Sequence, residues 1–268
     1  SADNGGAVYN QAGPMALDDC TITDNTAANY GGALYAQAGT TDVSRCTIAN
    51  NAATLDGGAV NNAGGEVIFN DCTVTSNTAS RDGGAADSSG GKMTWNDCLI
   101  SGNSAASFGG ALYQIGGETF WSACVLSNNG ITNGAIVYSE ASAITRFDRC
   151  AFLGEYDTDT CVLFSEDSAS TFLFYHQQQA FPSGGMVCSA SEVVVYNANV
   201  SVPVSASHEA AIVTCQSSAI LDYCEYDCSA NDGIGGISCS CTVDDAVLDP
   251  ELLDDKGAQS CLNSALLK

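Results

Sequence analysis

Six cysteines, Cys20, Cys46, Cys72, Cys98, Cys124 and Cys150, follow one another at an unvarying interval of 26 residues. No other feature constrains the fold as much. Paired glycines keep the same time at 5–6, 31–32, 57–58, 83–84 and 109–110, each pair followed by alanine. An asparagine falls five residues after each of the first five cysteines, at Asn25, Asn51, Asn77, Asn103 and Asn129. A fixed period of this length, punctuated by glycine and lacking any helix-length segment, means one structural unit stacked on its copies.

One period reads as one coil. It runs from Gly31-Gly-Ala-Leu-Tyr35 through a polar turn to Val43 and Cys46-Thr-Ile48, then through Asn51-Ala-Ala53 back to Gly57-Gly58. Three strand-like pieces lie between turn residues, each too short for an amphipathic helix. Stacking the coils lines up three apolar ladders. The first is Val8, Leu34, Val60, Ala86 and Leu112; the second Leu17, Val43, Phe69, Trp95, Trp121 and Phe147; the third Ile22, Ile48, Val74, Ile100, Leu126 and Phe152. Three such ladders make a cylinder filled by side chains, with neighbouring coils paired as parallel strands about 4.8 Å apart. The fold class is therefore all-β, a parallel β-helix.

The glycines and asparagines suit corners, because both tolerate positive φ. Stacked asparagines also hydrogen-bond from coil to coil as amide ladders do, so Asn25, Asn51, Asn77, Asn103 and Asn129 are expected to be structural. In-register cysteines would place Cβ atoms slightly beyond disulfide reach, so the ladder thiols are expected to be free and to pack as small hydrophobes, the alternative being local distortion that gives three bridges. The phase of the Phe69–Trp95–Trp121–Phe147 series makes it core stacking rather than a sugar platform. Tyr9, Tyr35 and Tyr113 lie one step from an inward ladder, and their face is the better candidate for binding a ligand or partner.

The stretch Cys98-Leu-Ile-Ser-Gly-Asn-Ser-Ala-Ala-Ser-Phe-Gly-Gly-Ala-Leu-Tyr113 resembles the repeat of chlamydial polymorphic membrane proteins, which also occurs in surface proteins of algae and other protists. The apolar residue three before the asparagine is matched by Ile22, Ile48, Val74, Ile100 and Leu126. The resemblance covers residues 1 to 150. It implies a right-handed β-helix and a cell-surface or secreted setting, and it implies no catalytic activity.

The regular repeats end at 150, and degenerate coils at similar spacing are expected over 151–214, for about nine coils and a rod of roughly 40–45 Å. Expected first strands are 161–164, 184–188 and 211–214, and expected second strands 171–175, 193–196 and 219–221. The stretch Asn133-Gly134-Ala-Ile-Val-Tyr138 arrives two residues early, and two extra residues restore the beat by Cys150. Residues 215–268 form a separate Cys-rich segment with Cys215, Cys224, Cys228, Cys239, Cys241 and Cys261 as disulfide candidates. Their spacing resembles an epidermal-growth-factor-like module, which implies the pairs Cys215–Cys228, Cys224–Cys239 and Cys241–Cys261. A disulfide-stapled cap of the solenoid is the other reading, since the last gap of nineteen residues is long for that module. A short helix is expected to begin at Asp249-Pro-Glu251.

Cysteines crowded without histidine among them point to disulfides and an oxidising, extracellular compartment rather than to zinc. The formal net charge of −24 argues against nucleic acid and anionic membranes as partners, and no apolar run is long enough to span a bilayer. Asn199-Val-Ser201 is a glycosylation sequon. The acidic turns Asp222–Asp227, Asp244-Asp245, Asp249 and Asp254-Asp255 offer oxygen ligands for Ca²⁺, yet none has a recognisable loop spacing, and they read as solvated surface. No cofactor is expected.

A polysaccharide lyase or hydrolase needs clustered acids with a base, or paired carboxylates. The Asp18-Asp19 pair reads as a solvated turn, and His176 and His208 have no motif around them. The expected function is thus a non-catalytic structural or adhesive module of a large extracellular protein, part of a surface filament or appendage. The alternative is a carbohydrate-active or carbohydrate-binding β-helix. Expected partners are other chains or domains of the same assembly, docking on the open first coil through residues 1–25, and possible glycans.

Overall fold

The computed structural model describes residues 2–130 and 135–154, and the segments 160–165, 170–175, 185–189, 192–196, 212–215 and 239–241. All of its regular structure is β, and every strand pairs in parallel with the equivalent strand of the next coil. Among the described residues no helix occurs, so none is long and apolar enough to cross a membrane.

The three ladders read from the sequence are register partners. Val8, Leu34, Val60, Ala86 and Leu112 stand opposite one another in an eight-stranded sheet, here called the tyrosine sheet. Leu17, Val43, Phe69, Trp95, Trp121 and Phe147 do so in a ten-stranded tryptophan sheet. Ile22, Ile48, Val74, Ile100, Leu126 and Phe152 line a six-stranded isoleucine sheet, which marks six turns of the solenoid. The count of about nine coils reaches beyond the described residues.

The coil has four sides rather than three. A five-stranded alanine sheet runs through Ala2–Asn4, Thr26–Tyr30, Ala52–Ala53, Thr78–Ala79 and Ser104–Ala105. Its inward ladder is Ala27, Ala53, Ala79 and Ala105, all buried. Two-residue strands with methyl side chains leave almost no hydrophobic signal, which is why this side reads as a turn. Two further readings shift. Val137 pairs with Leu112, one residue earlier than the repeat rather than two, and Ile144 opposite Glu118 restores the beat. Ile212–Cys215 belongs to the tryptophan sheet, where Val213 stands opposite Val193, and not to the first-strand position expected for it. Without a glycine pair beside it, a short apolar run carries no phase. Strands 160–165, 171–175, 185–189 and 192–196 take their expected sheets. Cys239–Cys241 follows Ile212–Cys215 on the tryptophan sheet.

The corners are built by other residues than the asparagines. Left-handed backbone falls on the residue just before each ladder cysteine (Asp19, Arg45, Asp71, Asp97, Ala123, Arg149) and just before the asparagines (Asp24, Asn50, Ser76, Gly102, Asn128). The glycine pairs divide two duties. Gly57 has φ +68°, which glycine alone adopts freely, whereas a Cβ on Gly58 would meet the Gly84 carbonyl oxygen at 2.3 Å. The second glycine is there for the close approach of coil to coil.

The asparagine side chains turn inward and are buried at Asn51, Asn77, Asn103 and Asn129. The Asn77 Oδ1 accepts from both the backbone N–H and the Nδ2 of Asn51, each at 2.9 Å. Asn77 Nδ2 in turn donates to Asn103 Oδ1 at 2.9 Å and to the Ile48 carbonyl at 3.0 Å. The same bonds link Asn25 to Asn51 and Asn103 to Asn129. Beside this column the aromatic series is sealed in the core: Phe69 and Trp95 stack at 3.9 Å between centroids and Trp95 and Trp121 at 4.9 Å. Each stacked pair contributes roughly 0.5–1.5 kcal/mol beyond its burial. The indole N–H groups of both tryptophans find no hydrogen-bond partner among the described residues, which offsets part of that gain.

Replacing Asn77 by leucine removes the acceptor of the Asn51 N–H and Nδ2 and the amide donor to the Ile48 carbonyl. The variant is expected to lose about 1–3 kcal/mol of stability, measured by denaturant unfolding; an unchanged midpoint would show that the amide column carries no stability.

Candidate functional site

Two outward columns run side by side along the tyrosine sheet. One follows the inward ladder by a single residue and reads Tyr9, Tyr35, Asn61, Asp87, Tyr113 and Tyr138, each in register with the next. The other precedes the glycine pairs and reads Asn4, Tyr30, Asp56, Asp82 and Phe108. Hydrogen bonds from Gly5, Gly31, Gly57 and Gly83 N–H to the carbonyls of Tyr30, Asp56, Asp82 and Phe108 hold it in step.

From Tyr30 and Tyr35 onward both columns are aromatic except at two consecutive coils; in the first coil Asn4 stands beside Tyr9. Tyr9 stacks on Tyr35 at 5.2 Å, and Tyr30 lies 6.3 Å from Tyr35. Further along, Phe108, Tyr113 and Tyr138 form a second cluster, with centroids 4.6 Å apart for Phe108–Tyr138 and 5.4 Å for Tyr113–Tyr138. Between the clusters the columns carry Asp56 with Asn61 and Asp82 with Asp87. The shorter side chains leave a notch of about 420 Å³ lined by these residues, Arg81 and the tyrosines. Tyr35 and Tyr113 are three rungs apart, so the aromatic walls stand about 14 Å from each other.

The notch is electrostatically tense. Arg81 lies half exposed at its rim, paired with both oxygens of Asp56 and 3.3 Å from Asp82 Oδ2. Asp82 Oδ1 accepts the Phe108 N–H at 3.1 Å. Asp87 is 2 % exposed and takes Asn61 Nδ2 at 2.6 Å and the Ser89 hydroxyl at 3.4 Å, both on Oδ1. Its Oδ2 has no hydrogen-bond partner among the described residues. Burial, and then the charges of Asp56 and Asp82, push the Asp87 carboxyl up to about 8. Asp82 is raised for the same reasons, burial first and Asp56 second. Burial and a 2.6 Å hydrogen bond to Glu140 raise the Tyr113 phenol. Among the described residues no group of three or more His, Cys, Asp or Glu is placed to hold a metal ion.

The structure separates the other candidate residues from this face. Asp18 and Asp19 are exposed and both pair with Arg45. The cysteine column lies inside, with all six thiols free, Cys20 half-buried and the other five buried. Cys98 and Cys124 are pushed up to about 12, chiefly by the bond each makes to the thiol of the next rung, with burial adding to it. Such thiols are poor nucleophiles. The side chains of Cys215, Cys224, Cys228, Cys239, Cys241 and Cys261, the sequon at Asn199, His176, His208 and the acidic turns after Asp222 all lie outside the described residues.

Asp56, Asp82, Asp87, Asn61 and Arg81 were not singled out from the sequence, although the signal exists. Aligning the coils on the glycine pairs from 31–32 onward shows the residue before each pair and the residue two after the alanine changing from aromatic to polar together, in the same two coils.

The family model of the Chlamydia polymorphic membrane protein (Chlamydia_PMP) repeat matches residues 19–37 and 97–114. In these two stretches the chain is similar to that repeat, and the similarity supports a surface-exposed, adhesin-like repeat protein. The matched windows carry the aromatic walls Tyr30/Tyr35 and Phe108/Tyr113, while the aspartate-bearing coils lie between them. No curated protein and no solved structure matches the chain significantly.

Two outcomes test these assignments. Between about pH 4 and about pH 8 the folded chain holds the Asp87 proton and the unfolded chain releases it, so this residue's contribution to stability falls as pH rises through that window. Asp87→Asn is expected to flatten the decline, raising the melting midpoint near pH 8 more than near pH 5. Alkylation of the native protein followed by mass spectrometry is expected to mark Cys20 first among the ladder thiols, with Cys72, Cys98 and Cys124 labelled only after denaturation.

Proposed function

We propose that this chain is a non-catalytic structural and adhesive module of a large extracellular surface protein, a rigid rod that presents the tyrosine–aspartate face to a partner. The observation that carries the reading is the division of labour between columns. Inward columns are consumed by packing and amide bonding, while the two outward columns beside the glycine pairs repeat aromatic residues in register with no packing duty in the core. The similarity to a surface-protein repeat supports the extracellular setting. Assembly into a filament or appendage belongs to the same reading: the strands of rung 2–23 lie last in their sheets, and a further coil, from this protein or another copy, adds there in the same parallel geometry.

The carbohydrate-active alternative has one specific observation in its favour, a buried carboxyl with raised pKa beside a second carboxyl in a notch walled by aromatics, as glycosidases use. Against it, the carboxylates already serve the fold. Asp56 is held by Arg81, Asp82 receives the Phe108 N–H, and Asp87 Oδ1 is engaged by Asn61.

Incubation with pectin, alginate and chitin fragments is expected to release no new sugar ends, and antibodies to the chain are expected to label intact source cells. Turnover abolished by Asp87→Asn would overturn the non-catalytic reading. Labelling only after permeabilisation would overturn the surface setting.

A further inference from the structure

The described surface is short of positive charge in a particular way. Each Lys and Arg among the described residues already has an acidic partner: Arg45 with Asp18 and Asp19, Arg81 with Asp56 and Asp82, Lys92 with Glu66, Arg146 with Glu118 and Arg149 with Asp148. At the notch that leaves one guanidinium for Asp56, Asp82 and Asp87, and Arg81 gives both of its strong contacts to Asp56. The carboxyl least compensated is Asp87, whose Oδ2 is without a partner although the residue is almost wholly buried.

The geometry of the walls adds a second requirement. Because Tyr9 stacks on Tyr35 with 22° between ring planes, the ring faces look along the solenoid axis, and the far face of Tyr35 is turned toward the Asn61 rung. Tyr113, tilted 32° against Tyr138 on its other side, neighbours the Asp87 rung directly. A group entering the notch thus meets aromatic faces along the axis and carboxylates on the floor. Both surfaces attract cations: the ring face through its quadrupole, the carboxylate through its charge. With no cluster among the described residues arranged for a metal ion, the complementary group is an organic cation on a slender stem.

We propose that the notch is a docking site for a lysine or arginine side chain of a basic segment in a partner protein. The proposal rests on the adhesive reading of this face and names the chemistry of its partner. A second copy of this chain is a poor source, since it holds seven Lys and Arg in 268 residues, and the five described ones are already paired. The inserted ammonium or guanidinium takes Asp87 Oδ2 as that carboxyl gives up its proton to solvent, and lies between Tyr35 and Tyr113, with Arg81 kept aside by Asp56.

The test is calorimetric titration of the whole chain with pentalysine amide at low ionic strength and about pH 9, where Asp87 is ionised, with variants checked for an unchanged circular dichroism spectrum. Asp87→Asn and Tyr113→Leu are each expected to weaken binding about tenfold, as loss of one desolvated cation contact would. Asp97→Asn, which changes net charge equally at a distant exposed turn, is expected to weaken it by no more than about twofold. If Asp87→Asn fails to fold, Tyr35→Leu with Tyr113→Leu carries the same expectation. Equal loss in Asp87→Asn and Asp97→Asn would overturn the proposal, because the attraction would then be the diffuse field of an acidic protein. Binding of a neutral cello-oligosaccharide that needs Tyr113 but not Asp87 would overturn the cationic partner and leave the adhesive face standing. Cleavage of that sugar would sink the adhesive reading itself.

Discussion

Everything in this solenoid depends on parallel pairing in unshifted register between one coil and the next. A slip of one residue would turn every inward side chain of a strand outward, and here it would do so in four sheets at once. The second glycine of each pair makes the constraint severe, because the coils approach so closely at that point that no side chain fits. The buried asparagines hold the register from inside: each amide is satisfied only when its counterpart lies directly above it. A 26-residue period is therefore not a trace of duplication alone. It is the distance after which the chain must return to the same bonds.

That constraint divides the residues into columns with separate physics. Inward columns carry apolar, aromatic, thiol and amide groups, and each is limited by the space and partners its own stack supplies. Outward columns are free of those limits, so they accumulate whatever charge or aromatic surface selection favours. The tyrosine face illustrates the result. Rings stack where rings follow rings, and where two coils substitute aspartate the stack is interrupted, leaving a cavity and several like charges close together. The protein tolerates the repulsion by burying one carboxyl in its protonated range and placing a single arginine at the rim.

Much of this was legible in the residues. The three large ladders, the inward phase of Trp95 and Trp121 and the outward phase of Tyr35 and Tyr113 follow from position within the period, and the structure places them so. The alanine side was hidden because two-residue strands bearing methyl groups have the composition of a turn. The corner residues were hidden for a different reason: left-handed positions here hold Asp, Arg, Ser and Ala as well as Asn and Gly, so the register of the corner matters and residue type does not announce it. The notch was missed because it is defined by what two columns lack together, and no single residue type signals a gap. Past residue 150 the glycine pairs thin out, and phase can no longer be read from an apolar run without one, as the placement of Ile212–Cys215 shows.

The asparagine column has a direction. In the links from one asparagine to the next, from Asn25 to Asn129, the amide of lower number always donates to the amide of higher number, so these amide-to-amide bonds all point the same way along the axis. Chains of hydrogen bonds polarise one another, which makes a link in the middle stronger than the same link with a neighbour missing. A defect in one rung therefore weakens contacts several rungs away, and the rod behaves as a wire whose mechanical resistance depends on its continuity. Pulled from one end, such a molecule would yield coil by coil in a fixed order, each departure loosening the next.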